Sequence, residues 1–327
     1  DPLRVPCARN AMGRLINWII SDIYTEYNDV LSFNLSKPYG SDSDSDNDND
    51  IDIIQSESKV SFLAIPKVHC RIEMIPSNKD SILNLPKLLK CFLLPMAHNL
   101  TYYPILFQKL CRLLMKHFES IAIPESQIQN YKNGNISADC MKLYSPLIEL
   151  MNKVFLPSLS CGLIENPNYL LARQIWDIIG KFPYQIRFDM YSIWYGKGIG
   201  KFGLNDTNKS IDCCHSEMIA LQNVRAQLKR MTAENAKVIG KKLARFFPTN
   251  PLVVFDFLIK QVCAYENLVP IAVETVKYSS ELGFDCLAFS LIKKLKDSVL
   301  LNEKKIQEEG TNVEQWFHNF SKFTATF

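Results

Sequence analysis

The chain has 327 residues, of which 47 % are hydrophobic and 22 % charged, with a net charge of +3 at pH 7. That apolar content excludes a chain that is disordered throughout, and the length allows two compact domains or one elongated stack. The small net charge demands no polyanionic partner, and no apolar run reaches the ~20 residues needed to span a bilayer, so no membrane partner is expected.

Residues 2–27 predict mainly one amphipathic helix with Leu15, Trp18, Ile19 and Ile23 on a shared face. The start at Asp1 shows no basic stretch leading into an apolar one, so no signal peptide is expected and the sequence reads as a fragment of something longer. Gly40 to Ser58 carries seven acids and no Lys or Arg. Such a segment buries too little apolar area to offset chain entropy, and a disordered acidic insertion is expected there. A calcium loop starting at Asp46 fails at its sixth position, where Ile51 stands in place of the required glycine. Ser41, Ser43 and Ser45 each have an aspartate three residues on, a pattern suited to an acid-directed kinase. Lys59 to Ile65 alternates weakly and is expected as a short strand.

From Lys79 onward the apolar spacing predicts helices at 80–98, 102–119, 140–156, 167–180, 183–195, 212–230, 233–247, 251–265, 268–281, 284–296 and 312–323. Pro104, Pro167 and Pro183 sit where first turns begin, with Asn166 as a cap before Pro167. Thr311 and Glu314 spell a capping box. The clearest punctuation lies in Met231 to Phe289. There Thr232 is expected to cap a helix with Ile239, Leu243 and Phe246 inward, and Pro248 closes it. Asn250 is expected to cap the next helix, with Pro251 at its first position and Leu252, Phe255, Leu258, Ile259 and Val262 buried. Two helices joined by about four residues must lie side by side and antiparallel. The predicted fold is therefore all-α, an α-solenoid of antiparallel helix hairpins of HEAT-like type. Residues 196–210, rich in Gly, Asn and Lys, are the expected linker between a helical segment at 1–195 and a hairpin domain at 211–327 that is truncated at its C-terminal end.

Chemical motifs are few. Gly198, Gly200 and Gly203 match a dinucleotide fingerprint in letters, but helix precedes them and a polar loop follows, so a connector is the reading adopted. Cys213, Cys214 and His215 point about 100° apart on a helix and cannot converge on one ion. The ten cysteines are scattered over apolar faces, which suits buried free thiols in a reducing compartment. No histidine has a hydrolase context; no enzymatic activity, cofactor or metal is expected. The strongest local signal is basic: Arg225, Lys229, Arg230, Lys237, Lys241, Lys242 and Arg245 oppose Glu234 alone across 21 residues. Lys237, Lys241 and Arg245 fall four apart on one stripe. That stripe is a solvated face, a dock for a protein partner or a phosphate-reading surface. No aromatic residue interleaves with it in sequence, which leaves base stacking unsupported.

The order Lys229-Arg230-Met231-Thr232-Ala233-Glu234-Asn235, Gly240-Lys241, Asn250-Pro251, Phe255-Asp256, Gln261-Val262, Tyr265-Glu266-Asn267-Leu268 and Lys277-Tyr278 resembles the family of large second subunits of the THO complex, at the core of the TREX transcription–export assembly. The likeness continues weakly through Asp285 to Phe289 and the Gly310–Phe320 stretch, and backward through Phe182-Pro183, covering about a third of the chain. Pro270 stands one residue earlier than the family order has it, and the acidic tract looks like a lineage-specific insertion. The resemblance implies a nuclear α-solenoid scaffold that couples transcription to messenger RNA packaging and export. It also implies other THO subunits and a DEAD-box RNA helicase as partners, with RNA bound through the complex; the alternative is a solenoid that binds RNA directly. Residues from about 211 look like the start of a region related to the middle domain of translation initiation scaffolds, which holds two helicase lobes in a productive orientation.

Overall fold

The computed structural model describes residues 5–31, 84–121, 138–162, 168–196, 209–232, 234–300 and 314–326, and all regular structure among them is helical. In chain order the elements are α1 (Pro6–Leu31), α2 (Leu85–Met96), a 3-10 turn (Ala97–Tyr102), α3 (Pro104–Ser120) and α4 (Ala138–Leu150). A π turn (Met151–Phe155) leads into α5 (Leu156–Ser160), followed by α6 (Tyr169–Ile179) and α7 (Tyr184–Tyr195). Then come α8 (Ile211–Leu228), α9 (Ala236–Ala244), α10 (Pro251–Ala264), a 3-10 turn (Glu266–Leu268), α11 (Val269–Val276), α12 (Glu281–Leu300) and α13 (Gln315–Thr326). The expected acidic loop at 40–58, the strand at 59–65, the Gly198–Gly203 connector and Thr311 lie outside the described residues. None of the described helices is long and apolar enough to cross a membrane.

Helices two apart in chain order are the neighbours, whereas α9 and α10 pack little on each other, so the expected side-by-side hairpin of those two is replaced by pairing of alternate helices. Thus α1 packs on α3, α2 on α4, α9 on α11, α10 on α12 and α11 on α13. One hydrophobic core runs without a break from Ile16 in α1 to Phe323 in α13. Helices on either side of residues 197–208 share that core, with α12 against α6 and α7, and α8 against α5. The apolar stripe of α10 is inward as its spacing demands: Leu252, Phe255, Leu258, Ile259 and Val262 are all buried. Each such side chain is worth roughly 1.5–3 kcal/mol of transfer free energy. Gly240 lets α9 approach α11, because a Cβ there meets the Thr275 Cα at 3.3 Å. Gly196 ends α7 at φ 81°, a left-handed cap that leaves no Cβ penalty.

Several end signals resolve differently from the sequence reading. Thr232 does not cap α9. Instead its N–H donates to Asn235 Oδ1 at 2.7 Å while Asn235 Nδ2 donates to the Arg230 carbonyl, so the side chain of Asn235 ties the α8–α9 turn and the helix starts at Ala236. Asn250 stands at the N-cap position of α10 but makes no cap bond; its Nδ2 reaches the Ser160 carbonyl and Ser216 Oγ, a tertiary contact that outcompetes the local one. Asn168 caps α6, accepting from the Leu171 N–H at 3.1 Å, and the helix begins at Tyr169; Asn166 and Pro167 lie outside the described residues. In α1 the buried face is Ile16, Ile19 and Ile20, while Leu15 and Trp18 are exposed. The predicted helix at 140–156 widens at Met151–Phe155. Pro157 has no N–H to return to Lys153, and the ladder lengthens by one residue, Leu156 N–H donating to the Met151 carbonyl.

Helices α10 and α12 are also joined by charge. Asp256 on α10 receives Lys293 of α12 at 2.8 Å and Lys260 at 2.7 Å. Burial pushes its carboxyl upward, but the hydrogen bonds from Lys260 and Lys293 outweigh that and hold it below the usual carboxylate range. A depressed folded pKa contributes stability above the unfolded value of about 3.9, and that contribution is lost as pH falls through the folded pKa. Asp256→Asn is accordingly expected to lower the urea midpoint at pH 7. The gap from the parent protein should shrink below about pH 4; a gap that stays constant with pH refutes this account of the pair.

Candidate partner-binding face and cleft

The seven cations lie on the end of α8, the turn after it and α9 with its end. Arg225 lies on the last turn of α8, Lys229 and Arg230 follow it, and Lys237, Lys241, Lys242 and Arg245 line α9 and its end. All seven are exposed. Ala236, Ile239, Gly240, Leu243 and Ala244 face inward, and this fixes the outward direction of the basic residues, as helical periodicity requires. Val238 is 59 % exposed among them.

The fold adds what sequence order hides. Arg225 sits 5.2 Å from the Phe257 ring of α10, and Lys241 sits 5.9 Å from the ring of Tyr278, just beyond α11. Aromatic groups therefore do stand beside the charges, which corrects the expectation drawn from their absence in the linear stretch. The face is also less purely positive than the sequence implied. Glu274 of α11 pairs with Lys277 at 2.8 Å and accepts from the Tyr278 hydroxyl at 3.3 Å. Its carboxyl is held below the ordinary range, first by the Lys277 hydrogen bond and, more weakly, by Lys237. By contrast, α10 offers little surface: from Pro251 to Cys263 only Lys260 is exposed.

A second feature arises from segments far apart in sequence. A cleft of about 380 Å³ is lined by residues of α2, the 3-10 turn after it, the π turn, α5, α7 and the start of α8, among them His98, Asn152, Trp194, Lys209 and Glu217. Charged groups in and beside it are already paired. His98 Nε2 lies 2.8 Å from Asp212, and Lys209 pairs with Glu217. Burial pushes the Glu217 carboxyl up while Lys209 pulls it down, with the upward effect larger. Asn152, 5 % exposed in the π turn, leaves both ends of its carboxamide without a partner among the described residues. At the mouth, Ala97 is the one non-glycine at positive φ among the described residues, with its carbonyl accepting from Ser158 Oγ at 2.9 Å. No stretch of sequence signalled this cleft, because its walls come from six elements and carry no spacing motif. Among the described residues, no group of three or more His, Cys, Asp or Glu is placed to hold a metal ion.

Residues 71–241 match the family model described as THO complex subunit 2 N-terminus, and residues 243–321 match the one described as Transcription- and export-related complex subunit. The two matches meet inside α9. Relatives named THO complex subunit 2 include those of Dasypus novemcinctus, 27 % identical over 239 residues, and Homo sapiens, 26 % identical over 236 residues, each covering 71 % of this chain. The Arabidopsis thaliana relative is 25 % identical over 244 residues, 74 % of this chain. The aligned region spans 13 % of the length of each of these relatives.

Proposed function

The chain belongs to the THO complex subunit 2 family, and from that premise we propose that it is a scaffold segment of a nuclear THO/TREX assembly that couples transcription to messenger RNA packaging and export. Its helical layers hold other THO subunits, and it performs no reaction of its own. Residues 211–327, beyond the 196–210 linker, form the start of a region like the middle domain of translation initiation scaffolds, and the basic face of α9 contacts a DEAD-box RNA helicase. In this mechanism the scaffold binds one relative arrangement of the helicase lobes more tightly than the others, and the helicase carries out all ATP chemistry.

The observation that supports this reading best is the outward alignment of Lys237, Lys241 and Arg245 on a helix whose inner side is fixed by the core. Such a rigid charged stripe favours recognition of an acidic protein surface and fast association. Reversing all three to Glu is expected to weaken helicase affinity about tenfold or more, roughly 1.4 kcal/mol, and to reduce stimulation of its ATPase. Unchanged affinity and stimulation remove this face from the mechanism.

A second reading, direct RNA binding, gains support from Tyr278 and Phe257 beside the cations. Binding of single-stranded RNA measured across salt concentrations separates the two. A phosphate-reading surface gives a log–log slope of about −0.7 per contact, so several contacts produce a steep line.

A further inference from the structure

Two sulfurs meet beside the cleft, one of them, Cys213, lining it. Cys161, the residue that ends α5, and Cys213, in the first turn of α8, place their Sγ atoms 3.0 Å apart. Neither belongs to the basic face. Both backbones are held in register by the bonds around Ser160. Its carbonyl accepts from Ser216 Oγ at 2.5 Å and from Asn250 Nδ2 at 3.3 Å, and its hydroxyl accepts from Trp194 Nε1 at 2.7 Å. Ser160 precedes Cys161 and Ser216 lies three residues after Cys213, so the clamp keeps the two thiols facing each other. Cys213 is buried in the fold yet lines the cleft, which gives a small oxidant a route to it.

We propose that Cys161 and Cys213 are a dithiol modification site, oxidised by hydrogen peroxide to a reversible disulfide that pins α5 to α8. Cys213 is the attacking sulfur. It sits near the α8 N-terminus, where the helix dipole and backbone N–H groups favour an anion, and Lys209 adds a positive charge. Its thiol is held below the ordinary value, first by a hydrogen bond from Cys161 and then, against the effect of burial, by Ser210; Glu217 opposes Lys209 but is itself paired with it. Cys161 is pushed up, chiefly by donating that bond, and keeps its proton. The Cys213 thiolate attacks one peroxide oxygen, the O–O bond breaks, hydroxide leaves and a sulfenic acid remains. The Cys161 sulfur then attacks the Cys213 sulfur, the S–O bond breaks, and water departs with the Cys161 proton. Peroxide is thereby reduced to two waters as two thiols are oxidised. A monothiol such as glutathione reverses the link by exchange.

The disulfide ties residues 52 apart and fixes two walls of the cleft relative to each other. Treating the purified protein briefly with peroxide, blocking remaining thiols and mapping unreduced peptides by mass spectrometry tests the assignment. A linked peptide pair containing Cys161 and Cys213, lighter by the two hydrogens lost and cleaved by dithiothreitol, is expected. The melting temperature should rise by a few degrees on oxidation, and Cys161→Ser should abolish that rise while leaving Cys213 reactive to dimedone. Among the described residues Cys7, Cys91 and Cys214 are exposed and compete for the oxidant. A Cys213 that stays alkylatable after those three have oxidised overturns the proposal, and so does a link running from Cys161 to Cys214.

Discussion

Replacing Asp285 with alanine is expected to destabilise the protein by about 3 kcal/mol, seen as a lower urea midpoint. Asp285 on α12 takes a forked pair of bonds from Arg187 of α7, Nε at 2.8 Å and Nη2 at 3.0 Å. It also accepts the Tyr191 hydroxyl at 2.8 Å, and Arg187 Nη1 donates to the Phe182 carbonyl at 2.7 Å. Tyr191 is fully buried, and burial, with Cys286 and Asp285 beside it, keeps its phenol protonated and able to donate. Alanine at 285 strands a guanidinium and a phenol together. Breaking a buried pair costs about 3–5 kcal/mol, and the lower figure applies because the two side chains keep 19 % and 14 % exposure. Arg187→Ala alone leaves Asp285 stranded in turn. The double variant should therefore lose less than the sum of the single losses, by about 1 kcal/mol or more. An additive cycle rules out the coupling. Since the bond joins residues 98 apart across the 196–210 break, loss of cooperativity in the Asp285→Ala transition would locate the weakest seam between α7 and α12.

How far the sequence revealed this molecule depended on the range of the interaction involved. Helix positions and inward faces from α8 to α12 follow from 3.6-residue spacing and proline punctuation, which are local, and the core stripes of α9 and α10 are where that spacing puts them. End signals failed where a side chain had a better partner elsewhere. Asn250 satisfies Ser160 and Ser216 instead of its own helix because both sites are buried and need a donor. The outward direction of the basic residues was legible from their spacing. Their aromatic neighbours Phe257 and Tyr278 were not, because α8 and α9 meet them only through packing. The cleft and the Cys161–Cys213 pair were illegible for the same reason: ten scattered cysteines carry no spacing that identifies the two whose sulfurs meet.

Phe255→Ala carries the other large effect. Phe255 is fully buried in α10, its ring stacked on Phe247 at 4.7 Å between centroids. That helix touches α7, α8, α11, α12 and α13, so a cavity there is bordered by several elements, and none can move in without opening another gap. A loss of about 3–5 kcal/mol is expected, against total stabilities of about 5–15 kcal/mol for folded domains. Phe247 lies in the turn that follows α9, and its loosening should reach the basic face without altering a single charge. Native-state hydrogen exchange is the measurement that separates the two routes to lost partner binding. Charge reversal at Lys237, Lys241 and Arg245 should leave amide protection in α9 and α10 intact, because those side chains are outside the core. In Phe255→Ala the same amides should lose protection roughly in proportion to the destabilisation, and partner binding should recover at lower temperature. Unchanged protection in α9 would mean that the stripe is held by α11, which Gly240 lets approach, and that the Phe247–Phe255 stack stabilises α10 without stabilising α9.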